Sequence, residues 1–186
     1  MPRIFTGLEI PPDVTTELSL LGGGLAGARW IDPDDYHLTL RFIGDIERER
    51  ANDIAEGLAG IDAPPLRIRL ERLAVFGADK PRALIARAAN NLELTALQAE
   101  QERLIRRLGA PADTRKFAPH VTLARLRGVS APAVGAYIEM RGDMRPLTFE
   151  ARRFVLYSSR ESTGGGPYQF EAVYPFATGR ARGWAD

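Results

Sequence analysis

"YHLTLRFIG", residues 36–44, and "APHVTLARL", residues 118–126, decide how this chain is read. They hold its only two histidines, and each histidine is followed one residue later by a Thr-Leu pair. Both stretches alternate polar and apolar residues, the mark of a half-buried strand. Side chains on a strand change faces at every step, so His37, Thr39 and Arg41 point one way while Leu38, Leu40 and Phe42 point the other. In the second stretch His120 and Thr122 share a face opposite Val121 and Leu123. The same parity puts Arg125 on the face away from His120 unless the strand bulges. Each strand thus presents an imidazole and a hydroxyl about 6–7 Å apart on one face and an apolar face to a core.

Working outward, the order of elements repeats. Arg3 to Ile10 reads as a strand, and Pro11, Pro12 and Asp13 open an amphipathic helix that runs out in "LGGGLAG". After the first histidine strand, Glu47 to Leu58 is a helix, "LRIRLERLAVFG" a long alternating strand, "KPR" a turn and "ALIARAA" a strand. Asn91 caps a helix through Leu108, and the loop "LGAPADTRKFAP" leads to the second histidine strand. Then Ala131 to Met140 is helical, "LTFEARRFVLYSS" a strand, "GGGP" a turn and "YQFEAVYPF" a last strand. Each half is helix, histidine strand, helix, strand, turn, strand, which argues for an internal duplication. The expected fold is α+β and bilobal: two pseudo-symmetric lobes, each an antiparallel sheet with flanking helices, within one domain spanning residues 1–186. A groove between them would carry one imidazole on each side, and residues 164–166 would form its most mobile loop.

Composition narrows the classes. The chain has 186 residues and no cysteine, so disulfides, thiolate metal sites and cysteine nucleophiles are excluded. The start, "MPRIFTGLEIPPD", lacks the apolar run of a signal peptide and no stretch has the length of a membrane span, so a cytoplasmic, soluble protein is expected. Net charge is +1, so an anionic substrate must be drawn by a local cluster of cations. All but Lys80 and Lys116 of the 25 basic residues are arginine, an excess broad enough to be compositional bias.

Two imidazoles facing across a cleft suit a reaction that takes a proton on one side and gives one on the other, since one can be neutral and the other charged near neutrality. In-line displacement at phosphorus has this geometry. The threonine hydroxyls would hold the non-bridging oxygens, and no metal is required. Neither histidine has a second ligand at chelating spacing on its own face. "GGGLAG", residues 22–27, follows a helix and reads as a helix stop, not a dinucleotide loop. Ser158 and Ser159 lack the Gly-x-Ser-x-Gly elbow of a serine nucleophile.

"ARWIDPDDYHLTLRFIGDI", "KPRALIARA", "TRKFAPHVTLARL" and "FVLYSSRESTGGGPYQFEAVYPF" together resemble the two-histidine (2H) phosphoesterase superfamily. Within it they are similar to the bacterial and archaeal RNA 2',3'-cyclic phosphodiesterases historically called 2'-5' RNA ligases. The resemblance covers essentially the whole chain and implies ring opening of an RNA 2',3'-cyclic phosphate to a 2'-phosphomonoester, with no cofactor. It implies His37 as proton donor to the leaving oxygen and His120 as the base that activates water, with Thr39 and Thr122 holding the phosphate; the residues themselves leave the two histidines interchangeable. Arg41 and Arg125 also resemble the family's pattern and are candidate phosphate contacts, although Arg41 has only Ala124 at the equivalent position. Tyr36, Phe42, Phe76, Phe117 and Tyr168 could stack on a base, Phe117 and Tyr168 being the candidates nearest the groove. The expected partners are RNA 3' ends with a 2',3'-cyclic phosphate, or cyclic nucleotides, bound by a monomer. The rivals are 2'-5' end joining, another cyclic nucleotide, or an RNA-end binding module without turnover.

Overall fold

The computed structural model describes residues 3–141, 144–159 and 167–177. Strand β1 (Arg3–Glu9) leads into helix α1 (Pro12–Ser19), where a proline occupies the first turn and Val14 and Leu18 face inward. A three-residue strand, β2 (Ala28–Trp30), and a 3-10 turn (Pro33–Asp35) precede β3 (His37–Asp45). Then come α2 (Arg48–Leu58), β4 (Leu66–Phe76) and β5 (Ala83–Ala88). Helix α3 (Leu92–Arg107) starts where the Asn91 side chain accepts the Leu94 amide at 2.8 Å, and buries Leu94, Leu97, Gln101 and Ile105 at helical spacing. The chain continues through β6 (His120–Leu126), α4 (Ala131–Arg141), β7 (Leu147–Ala151), β8 (Arg153–Ser159) and β9 (Tyr168–Pro175).

The nine strands form one antiparallel sheet in the order β7-β4-β5-β6-β3-β1-β8-β9, with β2 added to β6. The order divides at its middle. The His120 strand lies with β5, β4 and β7, and the His37 strand with β1, β8 and β9. A single residue pair, Leu38 with Val121, joins the two groups. The helices pack on one face of the sheet, so that Val14, Leu18, Ile54, Leu58, Leu94, Ile105 and Val134 share one core with the inward strand residues. A small second cluster, Phe5, Val155 and Tyr157, lies on the opposite face. That face forms the groove, with α1 residues Pro12, Thr15, Thr16 and Ser19 at its rim beside His37. Among the described residues, no helix is long and apolar enough to cross a membrane.

Two features of the backbone depart from the sequence reading. The stretch "LTFEARRFVLYSS" is not one strand: it breaks at Arg152 into β7, which pairs with β4, and β8, which pairs with β1, at opposite sides of the sheet. Alternation holds through Ala151, stops at the exposed pair Arg152–Arg153 and gives way to the continuously buried run from Phe154, so the change of period marks the break that a single-strand reading passes over. Strand β2 is too short for its period to register. The turn expected at "GGGP" and the loop at 164–166 lie outside the described residues, apart from Pro167.

Candidate active site

Both histidines are held by the same device. The Nδ1 of His37 is 2.8 Å from the Asp35 carbonyl, and the Nδ1 of His120 is 2.6 Å from the Ala118 carbonyl, in each case two residues back. A carbonyl only accepts, so each Nδ1 carries the hydrogen and each Nε2 is left for the groove. The neutral ring then offers Nε2 as a base and the charged ring offers Nε2–H as an acid. The backbone just before each strand thus fixes orientation and tautomer together. The Asp35 carboxylate also accepts the Tyr168 amide at 3.2 Å, tying the start of β9 to the segment that holds His37.

The pair Leu38–Val121 sets how the two strands face each other. Continuing that antiparallel register by one residue on each side puts His37 beside Thr122 and Thr39 beside His120, with the imidazoles on a diagonal. All four side chains are half-buried. Among the described residues neither threonine hydroxyl has a hydrogen-bond partner, so both are free for a ligand's oxygens. Gly7 pairs with Thr39, and a Cβ there would come within 2.9 Å of the Leu38 carbonyl, so only glycine lets β1 approach β3 here.

Aromatic rings wall both histidines. The His37 ring lies 4.8 Å from Phe5 and 4.9 Å, edge-on, from Tyr168, and His120 meets Phe76 edge-on at 4.7 Å. Burial against these walls disfavours the charged imidazole: the pKa of His37 is pushed down to about 4, and that of His120 is also lowered. The Nδ1–carbonyl bonds oppose the shift on both rings. The positive charge of Arg125 adds to it on both rings, and His120 adds to it on His37.

Two β-bulges decide which further side chains reach the groove. Against β1, Arg41 pairs with Thr6 and Thr39 with Gly7, leaving Leu40 without a partner. Against β5, Ala124 pairs with Leu84 and Thr122 with Ile85, leaving Leu123 without one. Leu40 and Leu123 are equivalent positions, each three residues after its histidine. Beyond each bulge the parity reverses. Phe42 and Arg125 turn to the histidine face, and Arg41 and Ala124 turn to the core.

Arg41 therefore does not face the groove, which corrects the parity reading that made it a phosphate contact. It is 3% exposed and ion-pairs with Glu102 of α3, while also donating to the carbonyls of Phe42 and Pro111. Glu102 in turn accepts the Asp113 amide at 3.3 Å. Arg41 thus anchors the loop that delivers His120. Arg125 is the guanidinium the bulge brings beside both imidazoles, and it is exposed for a ligand.

Of the stacking candidates, Tyr168 is in the groove wall, whereas Phe117 is half-buried against the main core. Tyr36 is buried in that core as well. Phe42 stacks with Phe5 at 6.2 Å. The carbonyls of Asp35 and Ala118, and the walls made by Phe5 and Tyr157, escaped the sequence reading. A backbone carbonyl leaves no residue-type signal, and a ring's partner depends on register.

An α+β sheet with paired, tautomer-locked imidazoles on its open face defines an acid/base site fitted to an anion. The chain belongs to the LigT-like phosphoesterase family, whose model, described as "LigT like Phosphoesterase", matches residues 8–85 and 87–168. It is 32% identical over 142 residues to a protein of Aeropyrum pernix named RNA 2',3'-cyclic phosphodiesterase, covering 75% of this chain and 81% of that one. An Aquifex aeolicus protein of the same name is 31% identical over 150 residues, covering 75% and 77%. The fold matches that of Escherichia coli LigT complexed with 3'-AMP at a TM-score of 0.76 and 20% identity, covering 96% of this chain and 100% of that one.

Proposed function

We propose that this protein opens the 2',3'-cyclic phosphate at RNA 3' ends to a 2'-phosphomonoester, without a metal, by acid/base catalysis from His37 and His120. The observation that carries the reading is the pair of matched Nδ1–carbonyl bonds, which aim two Nε2 atoms into one groove. With the roles implied by the family resemblance, His120 takes a proton from water as the new P–O bond forms. His37 gives its proton to the 3' oxygen as the P–O3' bond breaks. Thr39 and Thr122 donate to the non-bridging oxygens, and Arg125 balances the charge that develops there. In the free protein both imidazoles favour the neutral form. A bound phosphate anion reverses that bias, so the acid is charged by the substrate it acts on. Tyr168 offers a ring face or edge to the terminal base.

The relatives named RNA 2',3'-cyclic phosphodiesterase support this substrate. What supports metal independence is that two imidazoles and one guanidinium supply the acid, the base and the positive charge. The mirror-like strand order and the two successive family matches support one domain of two duplicated lobes, which we take to be monomeric and cytoplasmic. The test is hydrolysis of a 2',3'-cyclic nucleotide with chelator present, followed by identification of the product. We expect the 2'-phosphate and a bell-shaped pH profile. Abolition by chelator alone, or normal turnover by His120→Ala, would overturn the mechanism.

A further inference from the structure

The sheet's register continues from His120 along a row of arginines. His120 pairs with Arg87 of β5, and Arg87 pairs with Arg72 of β4, so the three share the groove face and span about 10 Å across two strand spacings. Arg69 of β4 lies beyond the bulge that sets Glu71 aside, and its carbonyl accepts the Ala89 amide at 2.8 Å. Arg69 and Arg67 then line an open cavity of about 510 Å³ with Asn90, Asn91 and Thr148. All four arginines are exposed.

The cations of the two halves differ in how they are engaged. On the His37 half, Arg3, Arg115 and Arg153 each have a carboxylate within 4 Å: Asp45, Asp113 and Glu9. On the His120 half, among the described residues, Arg67, Arg69 and Arg87 have none, and Arg72 has only Glu71 at 3.9 Å. The matching row of the His37 half runs from His37 to Glu9, whose carboxylate is ion-paired with Arg153 of β8, so the cation there is already engaged. Although Arg152 at the far edge of this half pairs with Glu150, Arg67, Arg69 and Arg87 thus stand on one side of the groove with no carboxylate within 4 Å among the described residues, and Arg72 lies in line with them. Arginine forks suit phosphate, and a line of them suits a repeating one.

Resting on the reading above, we infer that the RNA strand upstream of the reacting end runs over the His120 half, with Arg87, Arg72 and Arg69 binding successive backbone phosphates. The polar cavity at the far end would receive a further nucleotide. The protein is then a reader of oligonucleotide ends, and a cyclic mononucleotide engages only part of its surface.

The test uses the full chain with Arg69, Arg72 and Arg87 all changed to Ser, exposed positions where folding is retained. Two substrates are compared: 2',3'-cyclic AMP and a short oligoadenylate ending in a 2',3'-cyclic phosphate. We expect kcat/KM on the oligonucleotide to fall at least about tenfold through KM, with cyclic AMP turnover unchanged. The slope of log affinity against log salt should become shallower by about 2, from about 0.7 per lost phosphate contact. Unchanged oligonucleotide kinetics, or equal losses on both substrates, would overturn the path. If the parent protein hydrolyses neither substrate, the proposed activity fails, and the path is read separately by fluorescence anisotropy with a labelled oligoadenylate ending in a 3'-phosphate. There at least about tenfold weaker binding by the variant is expected, and equal binding would overturn it.

Discussion

The two histidine strands share a design up to one residue and part company there. Each hooks its imidazole to the carbonyl two residues back, leaves its threonine unpaired and bulges at the leucine three residues on. Past the bulge, the His120 strand gives the groove a cation, Arg125, and gives the core a small residue, Ala124. The His37 strand gives the groove a ring, Phe42, and gives the core a cation, Arg41. One backbone geometry thus supports two walls of different chemistry. On the proposed mechanism, proton transfer needs a group on each side and would keep the symmetry, whereas a substrate with an anionic backbone at one end and a base at the other would not.

The comparison can be broken most severely at the imidazoles. His37→Ala and His120→Ala should each lower kcat/KM for a cyclic phosphate by about 10² to 10⁴, measured by product release at saturating and limiting substrate. Next come the two arginines, which the bulges send opposite ways. Arg125→Ala should cost about 10² in turnover and leave the melting temperature near that of the parent. Arg41→Met should do the reverse: stripping Glu102 of its buried partner costs about 3 kcal/mol in denaturant unfolding. Equal behaviour of the two variants would sink the parity reversal.

Thr39→Val and Thr122→Val remove a hydrogen bond to a charged oxygen and should each cost about tenfold in kcat/KM. The smallest effect lies in stability against pH. The imidazole of His37 is held at about 4, below its ordinary 6.5, so between these values the unfolded chain binds more protons than the folded one. Stability is complete above about pH 6.5 and declines as pH falls toward 4. Melting should drop about 2–4 °C further between pH 7 and pH 5 in the parent than in His37→Gln, and inorganic phosphate should shrink the difference.

Much of this was legible in the sequence because it rests on local pattern. Helix α1 announces itself by its opening prolines and α3 by the Asn91 cap and the spacing of its apolar residues, and the repeated His-x-Thr pair marks the two strands that meet. What the sequence concealed lies where pattern is interrupted. A bulge consumes one residue without changing composition, so nothing in "LTLRF" (38–42) or "VTLAR" (121–125) announces that parity reverses inside. Parity therefore puts Arg41 in the groove, and Arg125 on the face opposite His120 unless the strand bulges, as it does. Its partner Glu102 is 61 residues away on another element, and nothing near Arg41 points to it. The split of residues 147–159 between two sides of the sheet is likewise a matter of partners, which local sequence does not encode.

The seam at Leu38 and Val121 bears on how finely the chemistry can be adjusted. Both residues are fully buried, and theirs is the one backbone pair linking the two groups of strands. The spacing of the two imidazoles is thus governed from behind, by the volume of apolar side chains that never meet the substrate. On the proposed mechanism, a methylene removed at Leu38 should change the distance between proton donor and acceptor as well as the packing. On that mechanism, a change of volume at this core position should alter the reaction rate, whereas changes in outer strands such as β7 and β9 should leave that distance as it is.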